Sequence, residues 1–332
     1  MTNHAAALCT ALEQWPRAMA VSTPQRPAVD ETTRAAIFRA YEMRDQRTTP
    51  REHLGASTIG KDCERELWYE LRWFSPSTYP GRMLRLLETG LREEDRILDN
   101  LQQSGFFVYG RDPGTGQQWR VRTHGGHFGG SLDGLVCGLP DDPERWHVLE
   151  CKTHAAASFR ALVGKGLRQA KPLHLAQIQA YLALTGLEAA LYIAVNKDND
   201  DLYLERICRD QAMGQALLEK AWRIIFSSAA PERISTDPNW HACKLCAHRS
   251  VCHEGKAPAR HCRTCTAAQP VEGGWQCGLK QQRLPLHAQR EGCAQHAPFP
   301  ADTHVLRFAP QAASTRALAA SAGHPDARPS AP

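Results

Sequence analysis

Apolar positions recur at helical spacing in three early stretches of the chain. "ETTRAAIFRAYEMRDQR" (31–47) and the Ser/Thr-started "STIGKDCERELWYELRWF" (57–74) read as helices, the second with Leu67, Leu71 and Phe74 near one face. "GRMLRLLETGLREEDRILDNLQQSG" (81–105) reads as a long amphipathic helix ended by Gly105, with Leu84, Leu87, Leu91, Ile97, Leu98 and Leu101 on its apolar side. Strand-like runs follow: "FFVY" (106–109), "QQWRVRT" (117–123), "HFGGSLDGLVCG" (127–138) and "WHVLECKTH" (146–154). Helical patterns return at 155–168 and in "PLHLAQIQAYLALTG" (172–186). A strand pair, "AALYIAVNKD" (189–198) and "DLYLERICRD" (201–210), surrounds a "KDND" turn (197–200), and a helix spans 210–228.

This alternation predicts an α/β fold with a mixed central sheet flanked by helices. The boundaries are an N-terminal arm and helix (1–50), a main domain (51–255), a Cys/His-rich module (256–308) and an Ala/Pro/Ser-rich tail (309–332) expected to be disordered. No internal repeat is visible. No uncharged apolar run approaches the roughly 18 residues that cross a bilayer. The N-terminus lacks a basic start and carries Glu13 within its apolar part, which argues against a signal peptide. A cytoplasmic protein without a membrane partner is expected.

Two of the strand-like runs carry charges where apolar residues belong. Glu150 and Lys152 are two apart and point to one face, while Leu149 and Cys151 point to the other. Asp133 lies on the preceding strand, and antiparallel pairing brings both carboxylates to one end of the sheet. Carboxylates held that close repel unless a cation lies between them. Mg²⁺ or Mn²⁺ suits such a site, because a hard cation takes carboxylate, backbone carbonyl and water oxygens. The competing reading is an exposed hairpin whose polar face merely carries Asp, Glu and Lys.

The arrangement resembles the active site of the PD-(D/E)xK nuclease superfamily, and more narrowly its RecB-type and λ-exonuclease-like branches in phage and bacterial recombination. The resemblance spans residues 81–186 and implies a restriction-endonuclease-like core. It assigns catalysis to Asp133, Glu150 and Lys152. The metal falls to Glu94, Asp133, Glu150 and the Cys151 carbonyl. Those families have a Gly-xxx-His or Gly-xxx-Glu metal motif on the preceding helix, matched here by Gly90 and Glu94, with Glu93 and Glu88 as alternative ligands. Their Gln-xxx-Tyr motif is matched by Gln177 and Tyr181, which the resemblance sets against the DNA backbone. The implied activity is metal-dependent exonucleolytic cleavage of DNA ends for recombination or repair, with DNA as partner and a recombination protein or helicase as a further one. A restriction-like endonuclease and a non-catalytic, metal-stabilised DNA-binding protein are the alternatives.

Twelve cysteines in a chain without a secretion signal favour metal over disulfides. Cys63 with Cys243, Cys246 and Cys252 resembles the one-plus-three layout of the [4Fe-4S] cluster in AddB-type helicase–nucleases and the related CRISPR-adaptation exonucleases. Zinc in that set is the alternative. Cys262, Cys265, Cys277 and Cys293 then remain as a second set of four, with His296 able to replace one, and read as a small zinc-binding module. A rival partition takes Cys243, Cys246, Cys262 and Cys265 as one zinc ribbon. Lone thiols such as Cys9, Cys137, Cys151 and Cys208 read as small buried or incidental residues.

The net charge of +5 is uneven: residues 241–332 hold 11 Lys/Arg against 5 Asp/Glu, a surplus of 6 that leaves −1 for the rest. Lys244, Arg249, Lys256, Arg260 and Arg263 surround the two cysteine sets and are expected to contact phosphates.

Overall fold

The computed structural model describes residues 30–45, 50–76 and 78–300; the N-terminal arm and the tail after 309 lie outside them. Helix α1 (Glu31–Asp45) precedes a two-residue strand, β1 (Leu54–Gly55), and a short helix, α2 (Glu64–Leu71), whose Leu67, Trp68 and Leu71 are fully enclosed. The sequence pattern starts this helix at 57, yet residues 56–60 are turns. The Thr58 hydroxyl donates to the Gly55 carbonyl, and Gly60 lies so close to Ala176 that a Cβ there would sit 2.8 Å from it. Cys63 consequently stands at the helix's N-cap rather than inside it. Helix α3 (Gly81–Gln103) stops before Gly105, whose φ of 87° only glycine adopts readily.

Strands β2 (Phe107–Tyr109), β3 (Arg120–Thr123), β4 (Phe128–Ser131), β5 (Gly134–Cys137) and β6 (His147–His154) follow. Helices α4 (Ala156–Ala170) and α5 (Pro172–Thr185) lead to strands β7 (Ala189–Asn196) and β8 (Leu202–Cys208), then helix α6 (Gln211–Phe226). Short helices α7 (His241–Lys244) and α8 (Arg249–His253) come before a meander of β9 (Ala268–Val271), β10 (Gly274–Cys277) and β11 (Gln282–Leu284), and a last turn, α9 (Leu286–Gln289).

The main sheet has the order β2-β5-β6-β7-β8 and is mixed: β6 and β7 are parallel, the other pairs antiparallel. A parallel neighbour needs a crossover, which α4 and α5 supply. β7 is buried along its whole length, which explains its nearly unbroken apolar run. Ile97 and Leu101 of α3 cover one face, against Leu149, Cys151, Leu191, Ile193 and Val195. Phe159, Leu162 and Leu175 from α4 and α5 share a core with Val148, Ala190, Tyr192 and Ala194 on the other. Alternation along β6 therefore puts Glu150 and Lys152 on the α5 side.

The stretch 127–138, which reads as one strand, is two. β4 belongs to a small sheet of order β1-β4-β3, whereas β5 belongs to the main sheet, and the chain breaks at Leu132–Asp133. Just before the break, two glycines in β4 let neighbouring segments approach closely. A Cβ on Gly129 would lie 2.0 Å from the Val121 carbonyl, and one on Gly130 2.6 Å from the Tyr181 hydroxyl. Asp133 thus sits in the joint between two sheets rather than on a strand.

Residues 256–300 do not form a separate appendage. Trp275, Leu284 and Phe299 belong to the same core as Trp68 and Phe128, and Phe299 meets Trp68 edge-on at 4.9 Å. Among the described residues no helix is long and apolar enough to cross a membrane.

Candidate active site and cysteine pockets

Asp133, Glu150 and Lys152 meet at the joint between the sheets. The Cys151 backbone N–H donates to Asp133 Oδ2 at 2.7 Å, locking the joint to β6. Lys152 pairs with Glu150 Oε1 and also donates to the Cys151 carbonyl at 3.2 Å. Glu150 is wholly buried, and its Oε2 has no hydrogen-bond partner. Such an orphaned oxygen is costly unless something positive takes it up. Burial pushes the Glu150 carboxyl up to about 8; Lys152 opposes the shift, while Asp133 and Glu94 add to it. Burial likewise raises Asp133. Burial works against the Lys152 ammonium, but Glu150 and Asp133 outweigh it and raise its pKa.

Of the three carboxylates proposed on α3, Glu88 is paired with Arg92 and Glu93 with Arg96. Glu94 instead feels Asp133 and Lys152, and burial followed by Asp133 raises it to about 7. Asp133 and Glu150 thus share the joint with the Cys151 carbonyl, and Glu94 on α3 is near enough to be raised by Asp133. This donor set is all oxygen and fits a hard divalent cation. As they stand, no three His, Cys, Asp or Glu side chains among the described residues are grouped so as to hold an ion. In the present arrangement the Lys152 ammonium supplies the countercharge to Glu150.

Gln177 and Tyr181 are not placed to hold a DNA backbone directly, since both are buried. The Tyr181 hydroxyl donates to the Ser131 carbonyl at 2.8 Å and receives the Gln177 amide at 3.4 Å. Their helix face supports the joint that carries Asp133. Beside Lys152 stands a polar cluster that the sequence analysis does not single out. Tyr192 lies opposite Glu150 in the β6–β7 register, and its hydroxyl stands 3.0 Å from His154 Nε2 and 2.9 Å from His174 Nδ1. The signal in the sequence was parity: His154 shares the face of Glu150 and Lys152, and His174 precedes Gln177 by one helical turn.

The structure brings Cys63, Cys243, Cys246 and Cys252 to the wall of one cavity, together with His248 and His253. Cys262, Cys265, Cys277 and Cys293 line a second, with His296. The ribbon partition, which joins Cys243 and Cys246 to Cys262 and Cys265, is split between the two cavities. Burial and the neighbouring Cys63 and Cys252 raise the Cys243 thiol; burial, Cys293, Cys265 and Cys277 raise Cys262. His248 Nδ1 and His253 Nε2 are buried without partners at the first cavity. The His296 Nε2 lies 3.2 Å from the Thr264 hydroxyl.

Arg263 is not a phosphate-binding surface residue. It is 1% exposed, stacked on Trp73 at 3.8 Å and Trp275 at 4.7 Å, and it donates to the Glu52 and Leu71 carbonyls and to Gln289 Oε1. Arg260 is tied to the Cys293 carbonyl at 2.8 Å.

No protein-family model and no curated protein matches the chain. Solved structures with some likeness include LHK-Exo in complex with dAMP, at 16% identity over 57% of this chain and 89% of that one, with a TM-score of 0.38. A second structure of that alkaline exonuclease, from Laribacter hongkongensis, gives 17% identity over 57% and 89%, with a TM-score of 0.36. SSO0001 gives 17% identity over 67% of this chain and 95% of that one, with a TM-score of 0.40. Likenesses at this level leave the chemistry to be read from this chain's own residues.

Proposed function

We propose that the protein is a Mg²⁺- or Mn²⁺-dependent deoxyribonuclease acting on DNA ends. The observation that carries this reading is the buried, partnerless Oε2 of Glu150 beside Lys152, Asp133 and Glu94. Glu94, Asp133, Glu150 and the Cys151 carbonyl would hold the cation. When bound, it supplies charge to the phosphate oxygens and makes water a better nucleophile. Lys152 holds the attacking water by donating to it and stabilises the negative charge that develops on the phosphate. Asp133 is kept in place by the Cys151 N–H, and Gln177 and Tyr181 keep its chain segment in place. The preference for ends follows from the resemblance to recombination exonucleases.

The two cysteine sets are read as structural centres. Cys63, Cys243, Cys246 and Cys252 would ligate a [4Fe-4S] cluster and tie the chain before α3 to the chain after α6. Cys262, Cys265, Cys277 and Cys293 would hold zinc.

Incubation with linear and covalently closed circular DNA, in Mg²⁺, Mn²⁺ or EDTA, tests the reading. Loss of linear DNA alone, only with a divalent ion, and abolished in Glu150→Ala, is expected. Nicking of closed circles would point to an endonuclease; cleavage in EDTA or by Glu150→Ala would remove the assigned site.

A further inference from the structure

Beside Lys152 runs a chain of polar side chains that the proposed reaction does not use. Lys171 Nζ lies 2.5 Å from Ser158 Oγ, Ser158 Oγ 3.1 Å from His154 Nδ1, His154 Nε2 3.0 Å from the Tyr192 hydroxyl, and that hydroxyl 2.9 Å from His174 Nδ1. An ammonium can only donate. Ser158 therefore accepts from Lys171, and sending its own proton to His154 Nδ1 is the direction that gives every proton of the chain an acceptor. His154 then carries its proton on Nε2 and donates to Tyr192, whose hydroxyl donates to His174 Nδ1. Each link uses one proton. The opposite direction leaves the Ser158 proton without an acceptor in the chain.

The consequence falls on the last ring. With Nδ1 accepting, neutral His174 bears its proton on Nε2, an atom with no hydrogen bond to any described residue. His174 is only half-buried, and its ring is stacked against His154 at 5.7 Å and 26°. Tyr192 sits opposite Glu150 in the sheet, so the relay borders the acidic site directly. Burial and the positive charges of Lys152 and Lys171 hold both imidazoles neutral at ordinary pH, as the relay requires.

We propose that Lys171, Ser158, His154 and Tyr192 fix His174 as an Nε2–H donor to a phosphate oxygen of the bound DNA strand. The identity of the ligand rests on the nuclease reading; the direction of the relay does not. In this arrangement His174 touches the substrate, and Tyr192, His154 and Ser158 are positioning residues. A neutral donor beside Lys152 contacts the phosphate without adding a charge that competes with the cation for the carboxylates.

The test uses full-length protein labelled with ¹⁵N-histidine, in EDTA, with and without a short DNA duplex. Both His154 and His174 should show the Nε2–H tautomer, and DNA should move the His174 Nε2 resonance. Tyr192→Phe should release His174 into a mixture of tautomers while its melting temperature identifies any loss of fold. His174→Leu should weaken duplex binding about tenfold, the worth of one hydrogen bond to a charged group. His174→Gln, which keeps an N–H near that position, should recover most of it. A His174 Nδ1–H tautomer in the wild type overturns the relay. An unmoved His174 resonance, or undiminished binding by His174→Leu, overturns the phosphate contact. Because no turnover is measured, failure of metal-dependent cleavage in a separate assay counts against the nuclease reading alone.

Discussion

The hydroxyl of Tyr181 donates to the carbonyl of Ser131, two residues ahead of Asp133, so a helix on one side of the sheet sets the position of a carboxylate at its edge. The contact is possible because residue 130 is glycine. Tyr181→Phe leaves that carbonyl without its partner and should cost about 1–2 kcal/mol in urea unfolding. Cleavage should fall more than stability, because Asp133 loses its anchor. Gly130→Ala should be worse on both counts, since its Cβ would need the Tyr181 ring to move. A Gly130→Ala protein as stable as wild type would contradict this account of the joint.

The acidic site sets a pH dependence. Glu150 and Glu94 titrate higher in the folded protein, near about 8 and about 7, than their ordinary value of 4.5. A carboxyl raised in this way takes up protons on folding, so its favourable contribution is complete below about 4.5 and is lost as pH rises through the folded value. Metal-free protein should therefore lose thermal stability between about pH 5 and 8. Glu150→Gln should flatten that decline, and Mg²⁺ should oppose it at the alkaline end. A melting-temperature series from pH 5 to 9 with EDTA or Mg²⁺ checks all three.

Cys63 is far in sequence from the other cysteines of its cavity, and its replacement separates a ligand from a cross-link. Protein purified without oxygen should be brown, with iron bound, as expected of thiolate-ligated clusters. Cys63→Ser should lose both colour and stability. Colourless protein that binds zinc and no iron, even after anaerobic reconstitution, would assign zinc to this set.

Arg263 gives a sharper test of the C-terminal segment than of DNA affinity. Removing its side chain leaves the buried Leu71 carbonyl, the Glu52 carbonyl and Gln289 without their donor and two indoles without their stacking partner. Arg263→Ala should cost at least about 3 kcal/mol. Arg263→Lys should recover little, because one ammonium does not match the planar, five-donor guanidinium. Denaturant titration of both variants measures this. Electrostatic contact with DNA is then tested on Lys244, Lys256 and Arg260, where neutralisation should flatten the salt dependence of binding.

Most helices and the long strands of the main sheet were legible because their apolar periodicities were clean. Asp133, Glu150 and Lys152 were legible for the opposite reason: each breaks a pattern. The division of 127–138 was hidden, because a run of alternating small and apolar residues does not say which sheet it joins. Gly129 and Gly130 marked the place, but what they approach lies on β3 and α5. The resemblance sets Gln177 and Tyr181 against the DNA backbone, and burial of 175–182 on α5 gives them a different task. Arg263 was misread for a similar reason. Its charge suggested solvent, while the tryptophans that enclose it stand far away in the chain.

Phe299 on Trp68, and the carbonyls of residues 263 and 268 on Arg72, have a meaning along the direction of synthesis. Among the described residues, the earliest buried aromatic packs on the last one. The turn before β4 is also gripped late, by the Val271 carbonyl on His127 and the Gly273 N–H on the Gly125 carbonyl. A nascent chain that stops short of these residues holds its acidic cluster on an unfinished scaffold, with Arg72 lacking its acceptors. Removal of residues 263–299 should therefore loosen the scaffold that carries the acidic site, although none of them belongs to that site.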